Sequence, residues 1–266
     1  MVRGYNKFFI KGFEEKGILP IYLSDATQGV NIRNNLPDPN VVKQLERSTA
    51  FPSPILLAST FSPDLSYQYA KAIGEECRAG GIEVLLGPGL NIYRQSQCAR
   101  NFEYFGEDPY LVGELGKQMI TSLQKYNLVA TPKHFAVYSI PVGGRDGKTR
   151  TDPHVAPREM RTLYIEPFRM AFQEAGALGV MSSYNDYDGE PITGSYHFLT
   201  EILRQEWGFK GYVVSDSEAV EFISNKHKVA DTYEDGIAQA VNAGLNIRTH
   251  FTPPADFILP LRKAVD

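Results

Sequence analysis

Short apolar, β-branched runs recur along this chain, each closed by polar residues and most followed by a segment with helical spacing. The runs lie near 18–24, 54–59, 82–86, 128–131, 178–182, 211–215 and 245–248. A strand covered on both faces reads as a continuous apolar run rather than an alternating one, which is the pattern of a buried parallel sheet. Between the runs, 64–79 places Leu65, Tyr69, Ala70 and Ile73 at helical spacing behind Ser62-Pro63-Asp64. The stretch 109–126 sets Leu111, Leu115, Met119, Ile120 and Leu123 on one face behind Asp108-Pro109. The stretches 157–175 and 200–207 read the same way, and 233–243 runs into a Gly244 stop. Parallel neighbours need a crossover that a helix supplies, so repeated strand–helix alternation means an α/β fold with a parallel sheet. About seven strands favour a TIM-type (β/α) barrel, irregular or incomplete, over a doubly wound sheet, because a full barrel takes about eight strands in about 250 residues. The expected organisation is one domain over 1–266 that lacks the first strand–helix unit.

The carboxyl ends of parallel barrel strands are where chemistry is assembled. Here they carry Asp25 after the first run, the stretch Asn91 to Arg100 after the third, Lys133-His134 after the fourth, Tyr184-Asn185 after the fifth and Asp216 after the sixth. A carboxylate fixed among Arg and Lys is held ionised. Such an Asp can attack an electrophilic carbon, of which the glycosidic carbon is the commonest biological case. Arg, Lys, Asp and His also supply the donors and acceptors that fix sugar hydroxyls.

Other function classes are excluded or weakened. A formal charge of −4 with no basic stripe argues against a nucleic-acid partner. Apolar residues at 42% and charged residues at 22% are those of a globular protein. No apolar stretch approaches a membrane span and no signal-peptide pattern is visible, so the compartment is unassigned. Cys77 and Cys98 read as free thiols, and His134, His154, His197, His227 and His250 form no metal-ligand spacing. Gly87-Pro88-Gly89 lacks the spacing of a phosphate-cradling loop. In the acidic group Glu103, Glu107 and Asp108, Asp108-Pro109 reads as a helix cap and the rest as surface. The polar stretch 143–154 is too long for a βα turn and reads as a functional loop or lid.

Several segments together resemble the N-terminal domain of glycoside hydrolase family 3. They are Gly87-Pro-Gly-Leu-Asn-Ile-Tyr-Arg, Ala99-Arg-Asn-Phe-Glu-Tyr-Phe-Gly-Glu-Asp-Pro-Tyr-Leu, Lys133-His-Phe, Met181-Ser-Ser-Tyr-Asn, and Glu206-Trp-Gly-Phe-Lys-Gly-Tyr-Val-Val-Ser-Asp-Ser. Their order and spacing hold over nearly the whole chain. The resemblance implies hydrolysis of terminal β-glycosidic bonds in oligosaccharides with retention and no cofactor, β-glucosidase-like, with β-xylosidase or β-N-acetylhexosaminidase as alternatives. It also implies that full-length relatives are periplasmic or extracellular. Within it, Asp216 matches the nucleophile and Asp25 the aspartate that grips sugar hydroxyls. Arg100, Lys133 and His134 match further sugar-binding residues, and Met181 and Tyr184 the pair beside the nucleophile.

A retaining glycosidase needs a second carboxyl as acid/base. In most of the family it comes from a second, C-terminal α/β domain, which this sequence does not contain. One branch uses an Asp–His pair on the loop after Lys-His; Asp152 and His154 lie on such a loop here, although Asp152-Pro153-His154 reads better as a helix lead-in. Ser217 stands where a glucose-specific subset carries Trp. Two rivals from other classes are a Schiff-base aldolase with Lys133 as the amine, and a non-catalytic sugar-binding fragment.

Overall fold

The computed structural model describes residues 2–3, 8–10, 12–25, 27–31, 45, 47–139, 151–249, 252–253 and 255–265. Much of the polar stretch 143–154 therefore lies outside the described residues, and so does His250. The strands are β1 (Val2–Arg3), β2 (Phe9–Ile10), β3 (Ile21–Asp25), β4 (Val84–Leu86), β5 (Val129–Ala130), β6 (Gly179–Ser182), β7 (Asp186–Tyr187), β8 (Glu190–Pro191), β9 (Tyr212–Ser215) and β10 (Ile247–Arg248). One sheet has the order β2-β3-β4-β5, parallel from β3 onward, with β2 antiparallel to β3. The other is wholly parallel in the order β1-β10-β9-β6, and β7–β8 form a separate hairpin.

The chain beyond β5 laces the two sheets together. Phe135 N–H donates to the Met181 carbonyl at 2.8 Å and Ser183 N–H to the Phe135 carbonyl at 2.7 Å, a parallel bridge to β6. Neither sheet closes into a ring among the described residues.

Side chains along these strands alternate between two apolar layers, as a period of two requires. Leu23, Val84, Leu86, Met181 and Val214 join Phe8 and Ile10 in a small inner cluster. Leu85, Ala130, Val180 and Val213 face the other way, into the large cluster shared with the helices. Both faces of the strands are thus buried, which is why the runs read as unbroken apolar stretches.

The helices are α1 (Pro54–Ala58), α2 (Pro63–Ala79), α3 (Pro109–Lys125), α4 (Glu166–Gln173), α5 (Ala219–Asn225), α6 (Tyr233–Ala243) and α7 (Ala255–Lys263). The N-caps of three accept a backbone N–H with a side-chain oxygen: Ser62 from Leu65 at 3.2 Å, Asp108 from Leu111 at 2.7 Å, and Thr232 from Asp235 at 3.1 Å. Each satisfies a donor that the first helical turn leaves unpaired. Gly113 lies on the face of α3 that meets α4; a Cβ there would run into the thioether of Met170, which would have to move aside.

Three expectations are corrected. The run at 54–59 is not a strand but α1: Pro54 sits in its first turn, where the missing N–H costs nothing, whereas it would leave a gap in a sheet ladder. The stretch 157–175 is not one helix but a turn at Pro157–Glu159, a π-helical turn at Met160–Tyr164, and α4. Pro167 has no N–H for the bond back into the preceding turn, so a regular helix cannot run through. The stretch 200–207 belongs to a π-helical segment, His197–Glu206, which starts three residues earlier and ends on Trp207 as its C-cap.

Candidate active site

Alternation along the strands places the two key aspartates. Leu23 and Val214 point into the inner cluster. Two residues further on, Asp25 ends β3 and Asp216 follows β9, so both carboxylates stand on that same side at the carboxyl end. Asp216 N–H donates to the Ser182 carbonyl at 3.1 Å, which continues the β6–β9 ladder by one step. Ser217 N–H then donates to Asp216 Oδ1 at 2.7 Å, and the Tyr184 hydroxyl also bonds this carboxylate.

Five charged side chains form a row of alternating sign. Lys133 Nζ lies 3.3 Å from Asp25 Oδ1 and 3.5 Å from Glu103 Oε2. Arg100 bonds Glu103 through Nε and reaches Asp216 Oδ2 with NH1 at 3.5 Å. Burial alone would raise the Glu103 carboxyl, but Lys133 and Arg100 overturn that and hold it below the usual carboxylate range. Asp216 goes the other way. Burial raises its pKa, and Arg100, the Ser217 N–H, Lys133 and Tyr184 offset this only in part. Burial works to neutralise Lys133, yet Asp25 and Glu103 leave its pKa raised. A charged amine is no nucleophile, so the arrangement disfavours Lys133 as a Schiff-base former.

Aromatic rings wall this row. The Tyr138 ring centroid is 5.5 Å from the Arg100 guanidinium carbon and 6.0 Å from the Tyr184 ring, which in turn sits 5.5 Å from Phe222. Burial, with the Asp216 charge beside it, keeps the Tyr184 hydroxyl protonated far beyond the usual range, so Tyr184 acts as a donor. His227, buried under Tyr184, lies 2.8 Å from the Tyr184 carbonyl and 2.8 Å from Asp186 Oδ2, which pins the main chain there. His134 Nε2 lies 3.5 Å from Asp216 Oδ2, and Nδ1 is 3.1 Å from the Tyr104 hydroxyl. Asn91 exchanges two bonds with the His134 backbone, at 2.9 and 2.7 Å. An open cleft of ≈ 640 Å³ leads to this row past Thr27, Gln28 and Asn31 and ends on Asp25, Arg100 and Lys133.

The structure therefore gathers Asp25, Arg100, Lys133, His134, Tyr184 and Asp216, which come from five separate stretches of sequence. Met181 lies on the same side one step below: its side chain packs in the inner apolar cluster, paired across the ladder with Val214. Sequence reasoning missed four neighbours of the site. Glu103 is buried in the charge row rather than on the surface, while Glu107 and Asp108 are exposed as expected. The i,i+3 spacing from Arg100 was its available signal. Tyr104, Tyr138 and His227 carried no distinguishing pattern. Asp152 and His154 bind the β7–β8 turn: His154 Nδ1 is 2.7 Å from Asp188 Oδ1 and Nε2 3.4 Å from Asp152 Oδ2. Asp152 also accepts the Gly189 N–H at 3.0 Å. Among the described residues, no group of three or more His, Cys, Asp or Glu could hold a metal ion, and no helix is long and apolar enough to cross a membrane.

Comparison with known proteins bears on this geometry. The model of the glycosyl hydrolase family 3 N-terminal domain matches residues 40–266. The chain is similar to beta-glucosidase A of Butyrivibrio fibrisolvens, 36% identical over 211 residues, covering 79% of this chain and 24% of that protein. It is 32% identical over 209 residues to a beta-xylosidase of Formosa agariphila, covering 75% of this chain and 28% of the relative. Among solved structures, beta-glucosidase 3B from Thermotoga neapolitana in complex with alpha-D-glucose superposes with a TM-score of 0.76 at 31% identity, over 92% of this chain and 32% of that one. The chain thus spans about a quarter of the length of the curated relatives it matches.

Proposed function

The chain belongs to the glycosyl hydrolase family 3 N-terminal domain family, and from that premise we propose that it is the nucleophile-bearing domain of a retaining β-glycosidase, β-glucosidase-like, acting on terminal β-linked sugars of oligosaccharides. Asp216 is the nucleophile. Its carboxylate attacks the anomeric carbon, the glycosidic C–O bond breaks, and the departing oxygen takes a proton from an acid. Water then hydrolyses the glycosyl–Asp216 ester with overall retention. Asp25 accepts sugar hydroxyls while Arg100, Lys133 and His134 donate to them, and Tyr184 holds the nucleophile in place. Met181 backs the pocket from the apolar layer below.

The observation that carries this reading is the Asp216 carboxylate itself. It is a largely buried carboxylate at a strand end, fixed by the Ser217 N–H at 2.7 Å and flanked by Arg100 and His134, each at 3.5 Å. The single domain over 1–266 is read as an irregular, incomplete (β/α) barrel. The bridge from Phe135 to β6 and the two-layered alternation of its strands favour that reading. The acid/base is assigned to a C-terminal α/β domain or second subunit, within the part of the relatives' length that this chain does not span. β-Xylosidase activity is the runner-up, favoured by the Formosa agariphila relative and by Ser217 in place of a bulkier wall.

The test is trapping with a 2-deoxy-2-fluoro β-glucoside and a β-xyloside, each bearing an activated aryl leaving group that needs no acid. A covalent adduct mapped to Asp216, absent in Asp216→Asn, is expected. An adduct on another residue, or sugar binding by calorimetry with no adduct, overturns the assignment, and the latter leaves a sugar-binding fragment.

A further inference from the structure

Behind Asp216 lies a buried pair that the proposed chemistry does not use as such. His134 has no exposed surface and Tyr104 almost none. The Tyr104 hydroxyl stands 3.1 Å from His134 Nδ1 with the rings close to perpendicular, at 86°. On the far side of the imidazole, Nε2 stands 3.5 Å from Asp216 Oδ2. The two Asn91 bonds fix the main chain, and the Tyr138 ring packs 5.1 Å from the imidazole, so the ring has its orientation set from three sides.

A neutral imidazole carries one proton, on either nitrogen. With the proton on Nδ1, the Nε2 lone pair would face a carboxylate, which is repulsive in a site of low dielectric. With it on Nε2, the ring offers a donor to the carboxylate, and Nδ1 becomes an acceptor for the Tyr104 hydroxyl. Tyr104 can fill that role: burial, reinforced by Glu103 against the opposing pull of Arg100, pushes its pKa well above the ordinary phenol value, so the hydroxyl keeps its proton.

We propose that Tyr104 is a positioning residue that fixes His134 as the Nε2–H tautomer, so that the imidazole presents a hydrogen-bond donor to the edge of the Asp216 carboxylate. The proposal rests on the reading of Asp216 as the glycosyl-accepting nucleophile. It makes the Tyr at this position more than core filling, since phenylalanine would keep the packing and lose the tautomer.

The experiment is nitrogen-15 NMR of the full chain labelled at histidine, at neutral pH, with the His134 ring signals assigned by their loss in His134→Gln. A proton on Nε2 with a pyridine-like Nδ1 is expected in the unaltered protein. Tyr104→Phe should bring up the Nδ1–H form and slow labelling of Asp216 by the fluoroglycoside roughly tenfold, the scale of one lost buried hydrogen bond. A proton on Nδ1 in the unaltered protein overturns the proposal, even if Tyr104→Phe does not fold. So does a Tyr104→Phe variant in which labelling slows but the tautomer stays put, or in which neither changes. Labelling of a residue other than Asp216 would instead bring down the nucleophile assignment, while the spectra still judge the tautomer.

Discussion

Glu103 offers the sharpest test of the charge row, because Glu103→Gln changes one oxygen and one charge while keeping shape. In the fold this carboxylate sits between Arg100 Nε and Lys133 Nζ, the latter at 3.5 Å, with almost no solvent contact. Removing one partner of a buried ion pair costs about 3–5 kcal/mol when the other is left uncompensated. Neither cation is left entirely so, since Lys133 keeps Asp25 at 3.3 Å and Arg100 keeps Asp216 at 3.5 Å. The expected loss is therefore at the low end, about 3 kcal/mol, which lowers the thermal midpoint by roughly 6–12 °C in a domain of this size.

The pH dependence fixes the cause. The pKa of Glu103 is lowered in the fold, so its contribution is fully present above the unfolded carboxylate value and is lost as pH falls through the folded one. The gap between Glu103→Gln and the unaltered protein should accordingly be constant from neutral pH down to about pH 5 and narrow only below the unfolded value of about 4.3. Urea unfolding at a series of pH values measures it. A gap within about 0.5 kcal/mol at neutral pH, the range of surface substitutions, would refute the buried-bridge argument. A gap that widens on acidification would refute the sign.

Asp216 predicts an acid limb in the chemistry. Attack requires the ionised form, and burial raises this carboxyl above the ordinary 3.8. The labelling rate should therefore fall with acidification at a midpoint above that value; a midpoint at or below it would contradict the burial argument. Asp108→Ala removes the oxygen that accepts the Leu111 N–H and should cost about 1 kcal/mol, read as a lower urea midpoint, with labelling of Asp216 unchanged.

Much of the architecture was legible because it rests on local rules. Apolar runs covered on both faces announced most of the parallel strands, and Ser62, Asp108 and Gly244 announced helix ends, since caps and periodicity act within a few residues. Where a short run was ambiguous, local chemistry misled: Leu56 and Leu57 are as apolar as any strand, and only the place of Pro54 in a helical first turn decides for α1.

By itself the sequence determined the polar residues at the strand ends, and with them the family, Asp216 and five of the groups now gathered around it. It could not distinguish which acidic residues would be surface and which would be wedged between cations. Glu103 and Glu107 lie four residues apart, yet one is buried between Arg100 and Lys133 and the other faces solvent. Nor could it show that Met181 turns toward the apolar layer, or that Tyr104 and His227 brace the site from behind. Those facts depend on which side of a strand a residue falls and on contacts between segments distant in sequence. The energy of a buried charge is set by its spatial neighbours, so only the tertiary structure decides it.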